Sequence, residues 1–401
     1  MTVEELSINE GFKGIDGFIE SKYKSMIFRG HDYSFPSGYM ILDEFLGGGF
    51  GASKFISVVG NAGSGKTTFL INFLFNLVST NMNDYYIVYL DAERSAEERF
   101  KGLGFDIDDE MNIIIGTQKV GKYLKPVSIE QTATFLKELT ELNSANSSDK
   151  KILAVVDSFA SLPASAELDA KVIGDNSAGL GIRSRLLSEL FRILPGQLER
   201  SNVTLFGVNQ MRQKIEINPM MKSPNPLGFK RNETMPGGNA MFHFAYQMIY
   251  LQPSTHIKNN KTGVKYGRLV NFYIMKNKMA MPFIEFPLFL GYLTGFHNIF
   301  SLFYFLKSNK LITSSGPWWK FADADPTINQ NFKAAEFIKL YKTDKNFAEL
   351  VETTIKRFIQ SHYYDSSKIE SDSDIILEKL DGGESVDESK ADEEPEIEEI
   401  E

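Results

Sequence analysis

Not one cysteine occurs in the 401 residues, and the five histidines are scattered. A disulfide framework and a thiolate metal site are therefore excluded, and no zinc cluster can be assembled from histidine neighbours. No apolar run reaches the roughly 18–20 residues needed to span a bilayer. The N-terminus also lacks the basic-then-apolar pattern of a secretory leader. The expectation is a soluble, cytoplasmic protein with no membrane partner. A chain of this length can bury a large core, and it suggests two or three domains with one dominant.

A uniform charge is also missing. The net charge is −9, yet residues 369–401 hold 15 Asp and Glu against 2 Lys, so residues 1–368 net +4. The body is mildly basic and carries an acidic tail. That tail is poor in aromatics and cannot offset the entropy of ordering, so disorder is expected over 369–401. It serves solubility, or it competes with nucleic acid for a basic surface.

What is present is a complete phosphate-binding loop. Gly60-Asn61-Ala62-Gly63-Ser64-Gly65-Lys66-Thr67 follows the apolar run Phe55–Val59, which reads as a buried strand, and leads through Thr68 into a helical pattern. This order aims backbone N–H groups and a helix N-terminus at one place, where a nucleotide polyphosphate fits. Lys66 supplies a point charge for the phosphates, and Thr67 offers a hydroxyl to Mg²⁺. ATP with Mg²⁺ is the expected occupant.

Strand-like runs at 55–59, 86–90, 152–156, 203–208, 246–251 and 269–275 alternate with helical patterns at 67–79, 129–142 and 179–198. This alternation predicts an α/β sheet with helices on its faces. Residues 1–36 are too few for an independent core, and 292–368, helix-rich and aromatic, read as a small second domain. The stretch from Arg212 to Pro236 lacks periodicity, holds several prolines and is basic. Such a long loop inside an α/β core is expected to be functional or disordered, and a polyanion suits it.

Two further strand ends carry carboxylates. Asp157, after Ile152–Val156, is placed to hold the water shell of Mg²⁺, although an Asp after a buried strand is often only a cap. Glu93, in Tyr89-Leu90-Asp91-Ala92-Glu93, is the candidate to activate an attacking water.

The ordered set of Ser37-Gly38, the phosphate loop, Asp91-Ala92-Glu93, Lys101-Gly102-Leu103-Gly104, Val156-Asp157-Ser158, Val208-Asn209-Gln210-Met211-Arg212, Gly237-Gly238-Asn239-Ala240 and Lys276-Asn277-Lys278 resembles the RecA family of homologous-recombination ATPases, in its phage-type, UvsX-like branch. The resemblance covers roughly residues 37–320. It implies a RecA-like core over 37–291 with a twisted, mostly parallel sheet, an oligomerisation segment over 1–36 and an α+β domain over 292–368. It also implies an ATP-dependent strand-exchange protein that forms head-to-tail filaments on single-stranded DNA and pairs it with homologous duplex. A loading mediator and a single-strand binding protein are implied as further partners.

By the same resemblance, Leu168–Asn176 and Arg212–Pro236 are the two DNA-binding loops. Arg183, Arg212, Lys214, Gly237, Gly238 and Asn239 contact DNA, and Ile215 inserts between groups of stacked bases. Gln210 couples the nucleotide to DNA, while Lys276 and Lys278 reach the nucleotide of a neighbouring subunit. Phe100 matches the aromatic position against the adenine. Leu290 and Tyr292 both remain candidates for its other side. The second loop is about ten residues longer than the bacterial pattern, and His243 replaces an aromatic interface residue. Alternative readings are a hexameric helicase of the same fold and a non-hydrolysing recombination mediator.

Overall fold

A computed structural model describes residues 33–145, 150–169, 181–213, 233–235, 240–258, 262–322 and 331–365, together with positions 19 and 22. In chain order its elements begin with β1 (Ser34–Phe35), α1 (Met40–Leu46), β2 (Phe50–Gly51), β3 (Phe55–Gly60), α2 (Lys66–Thr80), β4 (Tyr85–Asp91), α3 (Glu97–Gly102), β5 (Asp106–Ile107), β6 (Asn112–Ile115) and β7 (Gln118–Leu124). Next come α4 (Ile129–Ala145), β8 (Lys151–Asp157), α5 (Ser165–Leu168), α6 (Ile182–Arg200), β9 (Val203–Gln210), β10 (Arg212–Gln213), β11 (Glu233–Thr234) and α7 (Ala240–Phe244). The chain continues through β12 (Gln247–Lys258), β13 (Lys265–Asn277), β14 (Ile284–Gly291), β15 (Gly295–His297), α8 (Asn298–Ser308), β16 (Ile312–Ser315), β17 (Trp318–Phe321), β18 (Phe332–Lys333), α9 (Phe337–Thr343) and α10 (Lys345–Tyr363).

One 11-stranded sheet dominates, in the order β15-β14-β13-β12-β3-β9-β8-β4-β7-β6-β5. Its six central strands, from β12 to β7, run parallel. Antiparallel strands extend it on both sides. The six strands expected from the apolar runs all belong to this sheet.

Alternation along each central strand explains why both faces are covered. Ile56 and Val58 of β3, Ile87 and Tyr89 of β4, and Leu153 and Val155 of β8 enter one core with Phe69, Leu70, Phe73 and Leu74 of α2. Phe55 and Val59, Val88 and Leu90, and Ala154 and Val156 enter a second core with Leu187, Leu190, Phe191 and Leu194 of α6. A strand buried on both faces reads as a continuous apolar run, as β3 does.

The body starts earlier than residue 37. Phe35 is buried, β1 pairs with β2, and the Tyr33 hydroxyl donates to Asn202 Oδ1 at 2.5 Å. Most of the expected oligomerisation segment, 1–32, and the acidic tail lie outside the described residues.

At the other end, the expected 291/292 boundary falls inside the β14–β15 hairpin of the main sheet. Residues beyond it share the large core. Phe45 of α1 stacks on Phe286 and meets Tyr363 edge-on. Phe321, Phe332, Phe337 and Phe347 pack together beneath the small sheet β16-β17-β18. Helix α10 buries Phe347, Val351, Ile355 and Ile359, a stripe at four-residue spacing. Its N-cap Asp344 accepts from the amides of Asn346 and Phe347, a cap that stabilises by about 1 kcal/mol.

Candidate nucleotide-binding site

The cleft opens at the carboxyl ends of the parallel strands, the usual ligand-binding edge of an open α/β sheet. Register brings the expected residues to one level, with Gly60 opposite Gln210 and Asp91 opposite Asp157. Two glycines make the loop possible. A Cβ on Gly60 would lie 2.4 Å from the carbonyl oxygen of Leu251, and Gly65 begins α2 with φ of 93°.

The cleft has a volume of about 460 Å³, and its lining includes Ala62, Gly63, Gly65, Lys66, Thr67 and Thr68 of the loop, with Glu93, Asp157 and Gln210. Gly60, Asn61 and Ser64 are not among its lining residues. The Lys66 ammonium donates to the carbonyls of Gly60 and Asn61 at 3.0 and 2.9 Å, so it is held against the loop. Burial lowers its pKa, against the opposing influence of Asp157 and Glu93.

Thr67 Oγ1 donates to Asp157 Oδ2 at 2.7 Å, joining the two expected Mg²⁺ residues. Burial pushes the Asp157 carboxyl up to about 6, although bonds from Thr67 and Tyr89 favour its ionised form. Its second oxygen, Oδ1, is buried without a hydrogen-bond partner, as is the hydroxyl of Ser64. An orphaned carboxylate oxygen beside a threonine hydroxyl fits a hydrated cation. Among the described residues no group of three or more His, Cys, Asp or Glu side chains could hold a metal ion. A cation here therefore takes most of its oxygen ligands from phosphates and water, the habit of Mg²⁺.

Glu93 is placed by three donors to Oε1. Gln210 Nε2 approaches at 2.7 Å, Ser158 Oγ at 2.8 Å and Ser161 Oγ at 3.4 Å. The bond from Gln210 ties the last residue of β9 to the β4 strand end. Two residues further, β10 pairs with β11, Arg212 opposite Thr234 and Gln213 opposite Glu233. The expected second loop is thus stitched at its base.

Phe100 requires a correction. It is fully buried against Tyr89, Phe105 and Tyr123, and it cannot face an adenine from there. Arg99, the preceding residue of α3, lines the cleft instead. Phe100 and Leu103, three residues apart, both pack toward the core, and that packing sets the phase of α3. Leu290 and Tyr292, the two alternatives for the opposite side, both line the cleft.

Arg268 of β13 has no counterpart among the expected residues. Its guanidinium donates to the carbonyl of Gly63 at the tip of the phosphate loop, and it too lines the cleft. No local pattern marks it, because it reaches the loop only through the sheet.

Lys276 and Lys278 are absent from the lining of this cleft. Lys276 donates to the carbonyls of Phe242 and His243 at 2.8 and 2.7 Å, covering the end of α7. Burial, with Lys278 nearby, pushes its pKa down to about 8. Arg183, at the start of α6, donates to the Ala160 carbonyl at 2.6 Å and faces Glu167 at 3.9 Å. The backbone of Arg212 is in β10. Lys214, Ile215, Gly237, Gly238 and Asn239 lie outside the described residues, as does most of Leu168–Asn176.

The sequence as a whole is similar to known proteins. The family model for the RecA N-terminal domain matches residues 31–297. The RecA protein of Mycoplasma mycoides subsp. mycoides SC is 28% identical over 329 residues, covering 82% of this chain and 84% of its own. That of Helicobacter pylori is 28% identical with the same shares. That of Leptospira meyeri is 26% identical over 84% of this chain and 77% of its own. With two thirds of its length matched by the family model and the phosphate loop, strand-end carboxylates and glutamine meeting in one cleft, the chain belongs to the RecA family of recombination ATPases.

Proposed function

We propose that the protein hydrolyses ATP in this cleft and uses it to drive strand exchange, assembling head-to-tail on single-stranded DNA and pairing it with homologous duplex. The observation that carries this reading is the Gln210–Glu93 hydrogen bond. One partner is the carboxylate positioned for hydrolysis, and the other ends the strand that leads into the long basic segment 212–236. A ligand that moves that segment alters Glu93, and a nucleotide at Glu93 alters that segment, which is reciprocal coupling.

Glu93 accepts a proton from the water that attacks the γ-phosphate in line. Lys66 leaves the Gly60 and Asn61 carbonyls for the phosphates and stabilises their charge. Mg²⁺, held through Thr67 and Asp157, supplies neutralising charge. Lys276 and Lys278 act on the nucleotide of a neighbouring protomer, and their absence from the lining of their own cleft supports action in trans. Repetition of such a heterologous contact without closure makes a helical filament. The segment before residue 33 docks on the next protomer. Arg183, Arg212, Lys214, Gly237, Gly238 and Asn239 hold the DNA backbone, Ile215 separates groups of bases, and base pairing reads homology. Placement in the phage-type branch rests on the resemblance of the ordered motif set.

The test is ATP hydrolysis with and without single-stranded DNA, followed by pairing of homologous strands on the same preparation. Stimulated hydrolysis with pairing is expected. Stimulation without pairing, with closed rings in electron micrographs, replaces the reading by a helicase. Tight nucleotide binding without turnover replaces it by a mediator.

A further inference from the structure

Beneath the cleft two carboxylates share one rung of the sheet. Asp91 and Asp157 are register partners at the ends of β4 and β8, and both are buried. Neighbouring buried carboxylates repel and lose hydration, so each needs its own hydrogen bonds. Each has a tyrosine. The Tyr89 hydroxyl donates to Asp157 Oδ2 at 2.7 Å, and the Tyr123 hydroxyl donates to Asp91 Oδ2. The two rings lie parallel with centroids 5.8 Å apart, both fully buried, and Phe100 meets each edge-on. This packing fixes where the hydroxyls point.

The two bonds serve different ends. Tyr89 and Thr67 both donate to Asp157 Oδ2, which pins the carboxylate and leaves Oδ1 as its unpartnered acceptor. Asp91 accepts from the amides of Arg94 and Ala96 at 2.8 and 3.0 Å, closing the turn that carries Glu93.

We infer that Tyr89 is a positioning residue that orients Asp157 for a divalent cation, while Tyr123 positions the Glu93 turn through Asp91. The inference rests on the nucleotide and Mg²⁺ reading of the cleft. Loss of an outer partner of a metal-binding carboxylate weakens cation affinity by about 10-fold or more. Tyr89→Phe keeps the ring and loses only the donor, so it should show that weakening with unchanged affinity for nucleotide in the absence of metal. Tyr123→Phe should leave cation affinity alone and lower kcat.

The experiment titrates Mn²⁺, followed by electron paramagnetic resonance, into the full-length protein saturated with a non-hydrolysable ATP analogue. Asp157→Asn tests the underlying reading, because unchanged Mn²⁺ affinity in that variant removes the metal site altogether. Where Asp157→Asn does weaken binding, a 10-fold loss in Tyr89→Phe with none in Tyr123→Phe supports the inference. Unchanged affinity in Tyr89→Phe overturns it. Equal losses in both tyrosine variants overturn it too, since general loosening of the buried pair explains them. Thermal unfolding of each variant accompanies the titration, so that only folded protein is compared.

Discussion

The cleft has two unlike walls. The inner one is made by parallel strand ends, where Lys66, Thr67, Glu93, Asp157 and Gln210 are each held by at least one hydrogen bond of 3.0 Å or less. The outer one comes from the antiparallel strands β13 and β14, with Arg268, Leu290, Gly291 and Tyr292. Two contacts hold its polar groups, Arg268 on the Gly63 carbonyl and the Tyr292 hydroxyl on His256 Nδ1 at 2.6 Å. The inner wall is organised before ligand arrives, as groups that act on developing charge need to be. We read the outer wall as the side that binds the nucleotide. Changes in the inner wall should therefore lower kcat, and changes in the outer wall should raise KM.

The largest effect is expected from Lys66→Ala. Removing the charge from the phosphates should lower turnover by at least about 10²–10³-fold, the scale for losing one preorganised electrostatic donor. Near-normal steady-state hydrolysis in that variant would remove the loop from the chemistry. Glu93→Gln should follow, with kcat lower by about 10²–10⁴-fold and ATP still bound. A glutamine can still meet Gln210 and the Ser158 hydroxyl, so the variant isolates proton acceptance from placement. If its kcat is unchanged while KM rises, the two walls have been assigned the wrong way round.

The same division explains how much was legible in the sequence. Phosphate-loop spacing and carboxylates after apolar runs are local signals, so the strands, the sheet class and Lys66, Thr67, Glu93 and Asp157 could be read before the fold was known, while Gln210 followed only from the family resemblance. Arg268 lies 205 residues from Gly63 and reaches it by pairing of β13 beside β12, and no local pattern encodes that contact. Phe100 shows a different limit. A six-residue helix gives too few turns to set its phase without the neighbouring core, and an error of one residue exchanges a buried ring for the exposed Arg99. The 292–368 segment read as separate because its aromatics suffice for a core, yet Tyr363 and Phe305 spend themselves on Phe45 of the ATPase body.

Arg268→Ala sharpens the comparison from the other side. It removes a cation from the cleft wall; a charge-assisted contact to the bound nucleotide is worth about 1.5 kcal/mol or more, so its loss should raise the Kd for ATP about tenfold. Calorimetric titration of the analogue checks this, with kcat at saturating ATP expected to stay within about twofold. A large fall in kcat with unchanged affinity would make Arg268 part of the inner machinery.

The smallest effect concerns the edge that we propose completes a neighbour's cleft. Lys276, with its pKa lowered to about 8, is mostly protonated at pH 7 and mostly neutral at pH 9. A charge needed across an interface is therefore lost as pH rises through 8, and nucleotide-dependent assembly should weaken several-fold over that span, up to about tenfold. Phosphate contact favours the ammonium and moderates the loss, so the weakening should shrink at saturating nucleotide. Lys276→Arg keeps its charge throughout this range and should assemble with little pH dependence. Light scattering of both proteins between pH 7 and 9 makes the measurement. An equal slope in both would place the titrating group elsewhere and leave Lys276 with the α7 carbonyls alone, whereas a slope confined to the unaltered protein would extend the inner wall's chemistry across the subunit boundary.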